Sequence, residues 1–545
     1  MDEQLLESLK KRYRELESKR STFNVQFTDL QRYVRPVSSS FYGPGVDSGA
    51  VGERRHQEIY DSTASWAADQ FANGLHSSVT NPSEAWFKVV LAGVSTNRLL
   101  RVERQYLDEV NEALYYNYNL PQAGLVSALH ENYLDLGVFG TDILYQDWNP
   151  EYRTLSFIPV SLGECYLDEG VFGLVDTVFR VKNYSLRNVL QLFPEAAGVE
   201  RIAGERQEKT ITLIHSVYPN SDKGANITNK TYASVYWSPD LRYIFSKSGY
   251  DTFPYHISRW TKQTGEIYGR SPGMAVLPSI QWLNQAKKEL LVSAQLANRP
   301  PLVVDEDSLL LPVGAKKGFS IAPGSLLTKY PGAEMPTPLM SGSQPQLTLE
   351  MVQAEQERIT QAFYVDYLIR QKKKERQSVL EIQDDRGEMM RQMAPMCGRV
   401  ESEKLGPMIA RSFQILNEHR MLPTMPDSLK GRRLSITYTS PVAKAQLGAT
   451  GIAISGFLQD LSTVGTVRPQ IWDAINDDRL VEAFALSRGI PVAILKSEEE
   501  RNELKQQQAQ QQQMAQMTEM APQMSKAMKD VAQARQVDPS MLGGF

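Results

Sequence analysis

The sequence predicts an α+β protein, mainly helical, built from several sub-domains. Three observations carry that expectation. Apolar residues recur at three to four positions over long stretches near 1–35, 273–298, 346–370 and 379–420. A block from about 141 to 262 switches to short runs of β-branched and aromatic residues separated by turn formers. And 545 residues with an apolar fraction of 41% suffice for a sizeable core.

The elements follow in order. Leu5, Leu9, Tyr13 and Leu16 form one apolar stripe among Lys, Arg and Glu, so the first 35 residues read as an amphipathic helix. "PVSSSFYGPG" ends it. In "IYDSTASWAADQFANGLHSSVTNPSEAWFKVVL", Asp61 or Ser62 caps a second helix. Trp66, Phe71 and Leu75 give it an apolar side, Asn81-Pro82 stops it, and "WFKVVL" reads as a strand. Further helices cover roughly 100–118 and the stretch ending in "YLDLGVFG". The strands are "DILYQDW", "TLSFIPV", "LVDTVFRV", "TLIHSVY", "ASVYWS" and "RYIFSK".

Two long helices come next, from about Gly273 to Asn298 and from about Gln346 to Arg370, each about 37 Å long. Leu277, Ile280, Leu283, Leu290, Leu291 and Ala294 keep helical spacing in the first, and Leu349, Val352, Ile359, Phe363 and Tyr367 in the second. The segment between them holds Pro300, Pro301, Pro312, Pro323, Pro331, Pro336, Pro338 and Pro345. It is too long for a simple hairpin loop and predicts a small compact element at the far end of the pair. A helical region at about 379–420 is expected to break at Pro395, Gly398 and Gly406-Pro407. "RRLSITYTSP" reads as a strand and 441–495 as short helices. From Glu498 the chain is Gln- and Met-rich, with Met517, Met520, Met524 and Met528 to one side. Either helix ordered against a neighbour or disorder fits that composition.

The formal net charge of −4 provides no global field for nucleic acid or an anionic membrane. No run of 18 apolar residues occurs, and "MDEQLLESLKKRYRELESKR" lacks the apolar centre of a secretion signal. Two cysteines, Cys165 and Cys397, argue for a reducing compartment and against a disulfide framework. Catalytic signatures are absent. There is no G-x-x-x-x-G-K-[ST] loop, no G-x-S-x-G elbow, and no His-Glu-x-x-His among the six histidines. Neither cysteine has a Cys or His within a few residues, the neighbours a zinc site needs. Asp384-Asp385 could hold Mg²⁺ for a nuclease, and "ECYLDEG" at 164–170 has similar potential. A solvated acidic turn accounts for either. The expectation is a non-enzyme without cofactor or metal. The alternatives are an Mg²⁺-dependent DNA-processing enzyme or a capsid- or scaffold-type assembly protein without a channel.

One run departs from the overall charge. Arg370, Lys372, Lys373, Lys374 and Arg376 crowd "RQKKKER" directly after the second long helix. Cations at a helix C-terminus are favourable and solvated in themselves. A run between two long helical segments also suits a projecting loop that meets an anion.

Three blocks resemble a known family: "IYDSTASWAADQFANGLHSSVTNPSEAWFKV", "GEIYGRSPGMAVLPSIQWLNQAKKELLVSAQLANRPPL" and "EKLGPMIARSFQILNEHRMLP". Together they are similar to the portal, or head-to-tail connector, proteins of short-tailed bacteriophages, over roughly residues 5–500. In one departure, "QSVLEI" stands where many relatives carry a "TATEV"-like sequence. The resemblance implies the portal fold of wing, stem, clip and crown, assembled as a homo-oligomeric ring, twelve subunits in the family, around a central channel. It places the wing at 1–272, stem helices at 273–298 and 346–370, and the clip at 299–345. A tunnel loop follows at 371–378, a long helix returning to the wing at 379–440, the crown at 441–500, and a tail or barrel at 501–545. It implies that Leu277, Leu283, Leu290, Leu349, Val352, Ile359 and Phe363 pack the stem. Arg299, Lys316, Lys317 and Lys329 would serve clip docking. The basic run would face double-stranded DNA through sequence-independent phosphate contacts. Implied partners are the terminase large subunit, tail adaptor or tail tube proteins, and capsid and scaffolding proteins, without membrane insertion. The implied location is the virion's portal vertex, after assembly in the host cytoplasm.

Overall fold

A computed structural model describes residues 2–36, 58–94, 99–194, 210–220, 229–298, 302–305, 326–329, 345–368, 393–440, 454–462 and 480–481. The chain divides into two compact units. The first comprises Met1–Lys88, Val110–Pro423 and Tyr438–Gln446, the second Val89–Glu109, Thr424–Thr437 and Leu447–Phe545.

In chain order the helices are α1 (Asp2–Tyr33), α2 (Thr63–Val79), α3 (Arg101–Asn119), α4 (Leu125–Phe139), α5 (Leu186–Leu192), α6 (Pro272–Ala275), α7 (Leu277–Asn298), α8 (Pro345–Ala362), α9 (Val365–Leu368) and α10 (Gly406–Glu418). The strands are β1 (Phe87–Leu91), β2 (Thr141–Asn149), β3 (Thr154–Pro159), β4 (Cys165–Glu169), β5 (Val175–Ser185), β6 (Thr210–Pro219), β7 (Tyr232–Ser238), β8 (Tyr243–Tyr250), β9 (Tyr255–Arg259), β10 (Leu302–Asp305), β11 (Leu326–Lys329) and β12 (Leu434–Tyr438).

The first unit is organised by two sheets. β4-β5-β6-β7-β8 is an antiparallel meander, and β3-β2-β9 is a smaller antiparallel sheet centred on β2. The amphipathic stripe of α1 covers the meander. Leu6, Leu9 and Leu16 are buried with Tyr166, Phe179, Ile214, Val235 and Trp237, and Leu5 and Tyr13 pack at the edge. Polar residues share that interface, Arg20 the most deeply buried of those on α1. Arg20 is 1% exposed, donates to the carbonyls of Leu162 (3.2 Å), Gly163 (2.9 Å) and Cys165 (2.8 Å), and lies over the Tyr166 ring. These bonds supply donors to buried carbonyls of the turn into β4, where Leu162 O also accepts from Cys165 N–H.

The small sheet is polar inside. Every residue of β9, "YHISR", is buried, charges included. His256 meets Gln146 at 2.7 Å, and Asp142 accepts from the Ser258 backbone N–H at 3.0 Å. Desolvation holds His256 and His215 neutral by pushing both well below the ordinary imidazole range.

In the second unit, Ala92 N–H donates to Arg433 O at 2.9 Å beside the β1-β12 pair, and Leu100 N–H is held by Glu103 at 3.1 Å.

Several expectations are corrected. β4 and β9 were not foreseen as strands. The first long helix is interrupted at Val276, and the second ends at Ala362 before the short α9, because Tyr364 adopts φ +57°. The expected breaks at Pro395 and Gly398 do not occur. Residues 393–400 are continuous helix, since Met393, Cys397 and Val400 bury one face and offset a glycine's cost of about 1 kcal/mol. The Gly406-Pro407 break is realised as a π-type turn over Glu401–Leu405, in which Gly406 N–H reaches back to Glu401 O. Pro407 has no N–H and would press on the carbonyl one turn earlier. The wider turn absorbs both problems without ending the helix.

Candidate functional site

The described parts of the expected stem converge on "YGRSP". Gly140 ends α4 at φ +77°, and a Cβ there would run into the backbone of Gly269–Ser271. A Cβ on Gly269 would collide in turn with Gly140 O. Two backbones therefore touch where β2 begins, and Gly269 N–H is fixed on Thr141 Oγ1 at 2.8 Å. Ser271 caps α6 through Met274 N–H (2.9 Å) while its own hydroxyl donates to Val138 O (2.7 Å), and Pro272 opens the turn. The motif thus anchors the root of α7 to the end of α4.

The helix pair α7/α8 is pinned by Asp61. Its carboxylate accepts from Lys287 of α7 at 2.6 Å, from Gln356 of α8 at 2.9 Å, and from the Thr63 N–H at 2.8 Å. It therefore caps α2 and joins both long helices. Burial alone would raise its pKa, but the bonds from Lys287, Thr63 and Gln356 outweigh it and hold the carboxyl below its usual value. Asn284 adds bonds to Tyr60 N–H (2.7 Å) and Glu58 O (2.8 Å).

Of the expected stem residues, Leu283, Val352, Ile359 and Phe363 are buried, and Leu277 and Leu290 are half-buried. Leu349 is 51% exposed, and at 100° per residue it lies about 60° off the Val352–Ile359–Phe363 stripe. Trp282, Leu291, Val292 and Met351 are exposed on the same pair.

Arg370, Lys372, Lys373, Lys374 and Arg376 lie outside the described residues, as do Arg299, Lys316, Lys317, Asp384 and Asp385. Lys329 belongs to β11, which pairs in parallel with β10. What is described is how both flanks of the 369–392 stretch are held. Before it, Leu368 packs against Gly74 and Tyr364 meets the Trp260 ring at 5.8 Å.

After it, the helical residues 393–418 are tied to the small sheet by three buried cations that sequence reasoning missed. Lys404 is fully buried, bonds Asn132 Oδ1 at 3.1 Å and pairs with Asp142. Burial lowers its pKa, and Asp142 opposes that shift. Arg259 grips Glu403 through Nε (3.0 Å) and a terminal nitrogen (2.8 Å), and also pairs with Glu169. Arg411 donates to Gln146 O at 3.2 Å and Thr252 O at 2.9 Å. Lys404 and Arg411 read as the solvent face of a helix, their available signal only the density of charge in "ESEKLGPMIAR", and Arg259 lies at the end of a strand the sequence does not announce.

The acidic stretch 164–170 is occupied by ion pairs: Glu164 with Arg180, Asp168 with Lys19, and Glu169 with Arg259 and Lys262. Among the described residues, no cluster of three or more ligating side chains could hold a metal, and no helix is long and apolar enough to cross a membrane.

The chain belongs to the bacteriophage head to tail connecting protein family, whose model matches residues 6–495. It is similar to the "Portal protein" of Salmonella phage epsilon15, 27% identical across 98% of this chain and 97% of the relative. It is also similar to the "Probable portal protein" of Bordetella phage BPP-1, 25% identical over 88% of this chain and 86% of that one. A solved chain from the neck of an empty GTA particle aligns over 74% of this chain and 90% of its own at 12% identity. Its TM-score of 0.34 is too low to equate the two folds. The resemblance to portal proteins read from the sequence is borne out over most of the chain.

Proposed function

We propose that the chain assembles into a closed ring, expected to hold twelve copies, which forms the portal at one capsid vertex. Viral double-stranded DNA is packaged and later ejected through its channel. The observation that carries this reading is the match over most of their length to chains described as a portal protein and a probable portal protein. In this assignment 1–272 and the return segment 379–440 form the wing, 273–298 and 346–370 the stem, 299–345 the clip, 371–378 the tunnel loop, 441–500 the crown, and 501–545 a tail or barrel.

Physical chemistry supports the channel assignment. Residues 370–376 carry five positive charges and one negative, and twelve copies would place about 48 net charges on one girdle. Their contacts would be to phosphate and independent of sequence, as a moving duplex requires. An overall charge of −4 keeps the rest of the ring from gripping it. The clip would dock terminase and later tail proteins, with the energy for pumping supplied by a separate motor. The test is electron microscopy of the purified chain. Class averages with a central hole are expected, and particles without one would refute the assignment.

A further inference from the structure

We infer that the two sheets of the first unit are clasped by a one-way hydrogen-bond relay whose direction is set by the Asp147 carboxylate, and that this relay holds the buried His215 as its Nε2–H tautomer. The inference goes beyond the portal reading and does not depend on it. The relay leaves the small sheet at Tyr255 of β9 and crosses the meander through His215 of β6, Ser234 of β7 and Tyr250 of β8. It re-enters the small sheet at Tyr145 of β2 and ends on Asp147 of the same strand. Tyr145 and Tyr255 are cross-strand partners, so the bonds close a loop between the two sheets. His215, Ser234 and Tyr255 are buried, whereas the Asp147 side chain is 39% exposed.

The direction follows from counting protons. A hydroxyl has one to give and a carboxylate has none. Tyr145 donates to Asp147 Oδ2 at 2.6 Å, the length of a charge-assisted bond to a carboxylate. Its proton is then spent, so across 3.1 Å Tyr250 donates to Tyr145. The Tyr250 proton is spent in turn, so Ser234 donates to Tyr250. Ser234 is left only to accept from His215, at 2.9 Å, which puts the ring hydrogen on Nε2. Burial, with the Arg180 guanidinium nearby, keeps this imidazole neutral. Nδ1 is therefore bare and accepts from the Tyr255 hydroxyl at 2.8 Å.

Nothing local to His215 makes that choice. Its two partners are hydroxyls, each able to give or to accept, and Tyr236 stacks flat on the ring at 4.0 Å and 3°, which fixes its plane but not its proton. Without the carboxylate the bonds from Tyr145 to Tyr255 could all run in reverse, with the hydrogen on Nδ1. A half-exposed acid thus decides the tautomer of a buried imidazole with the hydroxyls of Tyr145, Tyr250 and Ser234 in between. The same carboxylate accepts from Trp148 N–H at 2.9 Å and lies 3.8 Å from an Arg411 nitrogen, which places the head of the relay beside α10.

The test uses the full chain carrying isotope-labelled histidine. Solid-state nitrogen–carbon correlation spectra report which ring nitrogen bears the hydrogen, and His215→Gln identifies the signal by its loss. The wild-type chain should show His215 as Nε2–H alone, and an Nδ1–H or mixed signal would overturn the proposal whatever the variants do. Asp147→Ala withdraws the terminal acceptor, and Tyr145→Phe opens the relay beside it. In each, the Nδ1–H form should rise to about a tenth of the signal or more. A pure Nε2–H signal in either folded variant would show that the ring is fixed locally and that no relay reaches it. Separately, Tyr145→Phe and Ser234→Ala share no hydrogen bond, yet together they should lower the melting temperature by less than the sum of their separate shifts. Additive shifts would mark independent bonds and remove the clasp.

Discussion

Replacing Lys404 with methionine removes the cation from the buried pair with Asp142 while filling most of its volume. Both side chains are fully buried, so the Asp142 carboxylate would remain with only the Ser258 N–H and hydroxyl as partners. Asn132 Oδ1 would lose its donor as well. Breaking a buried pair on one side costs about 3–5 kcal/mol, and for a unit of this size about 2 °C of melting temperature per kcal/mol. A fall of about 6–10 °C is expected by scanning fluorimetry at pH 8. Lys404→Met/Asp142→Asn, which leaves no stranded charge, should regain at least about half of it. The deficit of the single variant should shrink as the pH is lowered, because the stranded carboxylate can be relieved by taking up a proton. Asp142→Asn alone should behave oppositely, its deficit shrinking as the pH rises and the amine goes neutral. A Lys404→Met chain melting within about 2 °C of wild type, or a deficit unchanged by pH, would refute the argument that this pair ties residues 393–418 to the sheet.

Three further outcomes are expected. Burial raises the Glu401 carboxyl from 4.5 to about 7. An acid with a raised folded-state pKa contributes nothing below its unfolded value and destabilises progressively as pH rises through the folded one. Glu401→Gln should therefore match wild type near pH 4 and gain about 1–2 kcal/mol at pH 8, after discounting for partial exposure, as measured by melting across pH. Changing Lys372, Lys373 and Lys374 to Ser should leave ring assembly and melting intact. It should flatten the salt dependence of DNA association and reduce DNA retained in filled heads, and retention equal to wild type would mark the run as a solvated helix end. Replacing about 302–340 with a short Gly/Ser bridge should leave a soluble chain that no longer binds terminase or tail adaptor in pull-downs, and unchanged binding would remove the clip assignment.

Periodicity made much of the fold legible. Leu9 and Leu16 recur on one stripe and lie in the core because α1 has a single apolar surface to cover. The buried members of the helix pair, Leu283, Val352, Ile359 and Phe363, follow the same rule. It failed where burial is polar. "YHISR" and "CYLDE" carry charges that read as turn or surface, yet both are strands whose charged groups are ion-paired across the fold. The interruption at Tyr364 carries no glycine or proline to announce it. For the candidate site, the sequence exposed the basic run and the "YGRSP" anchor, whose Gly, Ser and Pro have local reasons to be there. The Asp61 pin and the Lys404 and Arg411 ties join residues hundreds of positions apart, and no local pattern encodes such pairs.

Gly74 has a wider consequence. Any side chain on that face of α2 would overlap Leu368, the last described residue before the basic run. The place from which "RQKKKER" departs is thus set by the absence of one carbon on a helix nearly three hundred residues earlier in the chain. Gly74→Ala would force the α2 helix and Leu368 apart, since the added Cβ would lie 2.3 Å from the Leu368 Cβ.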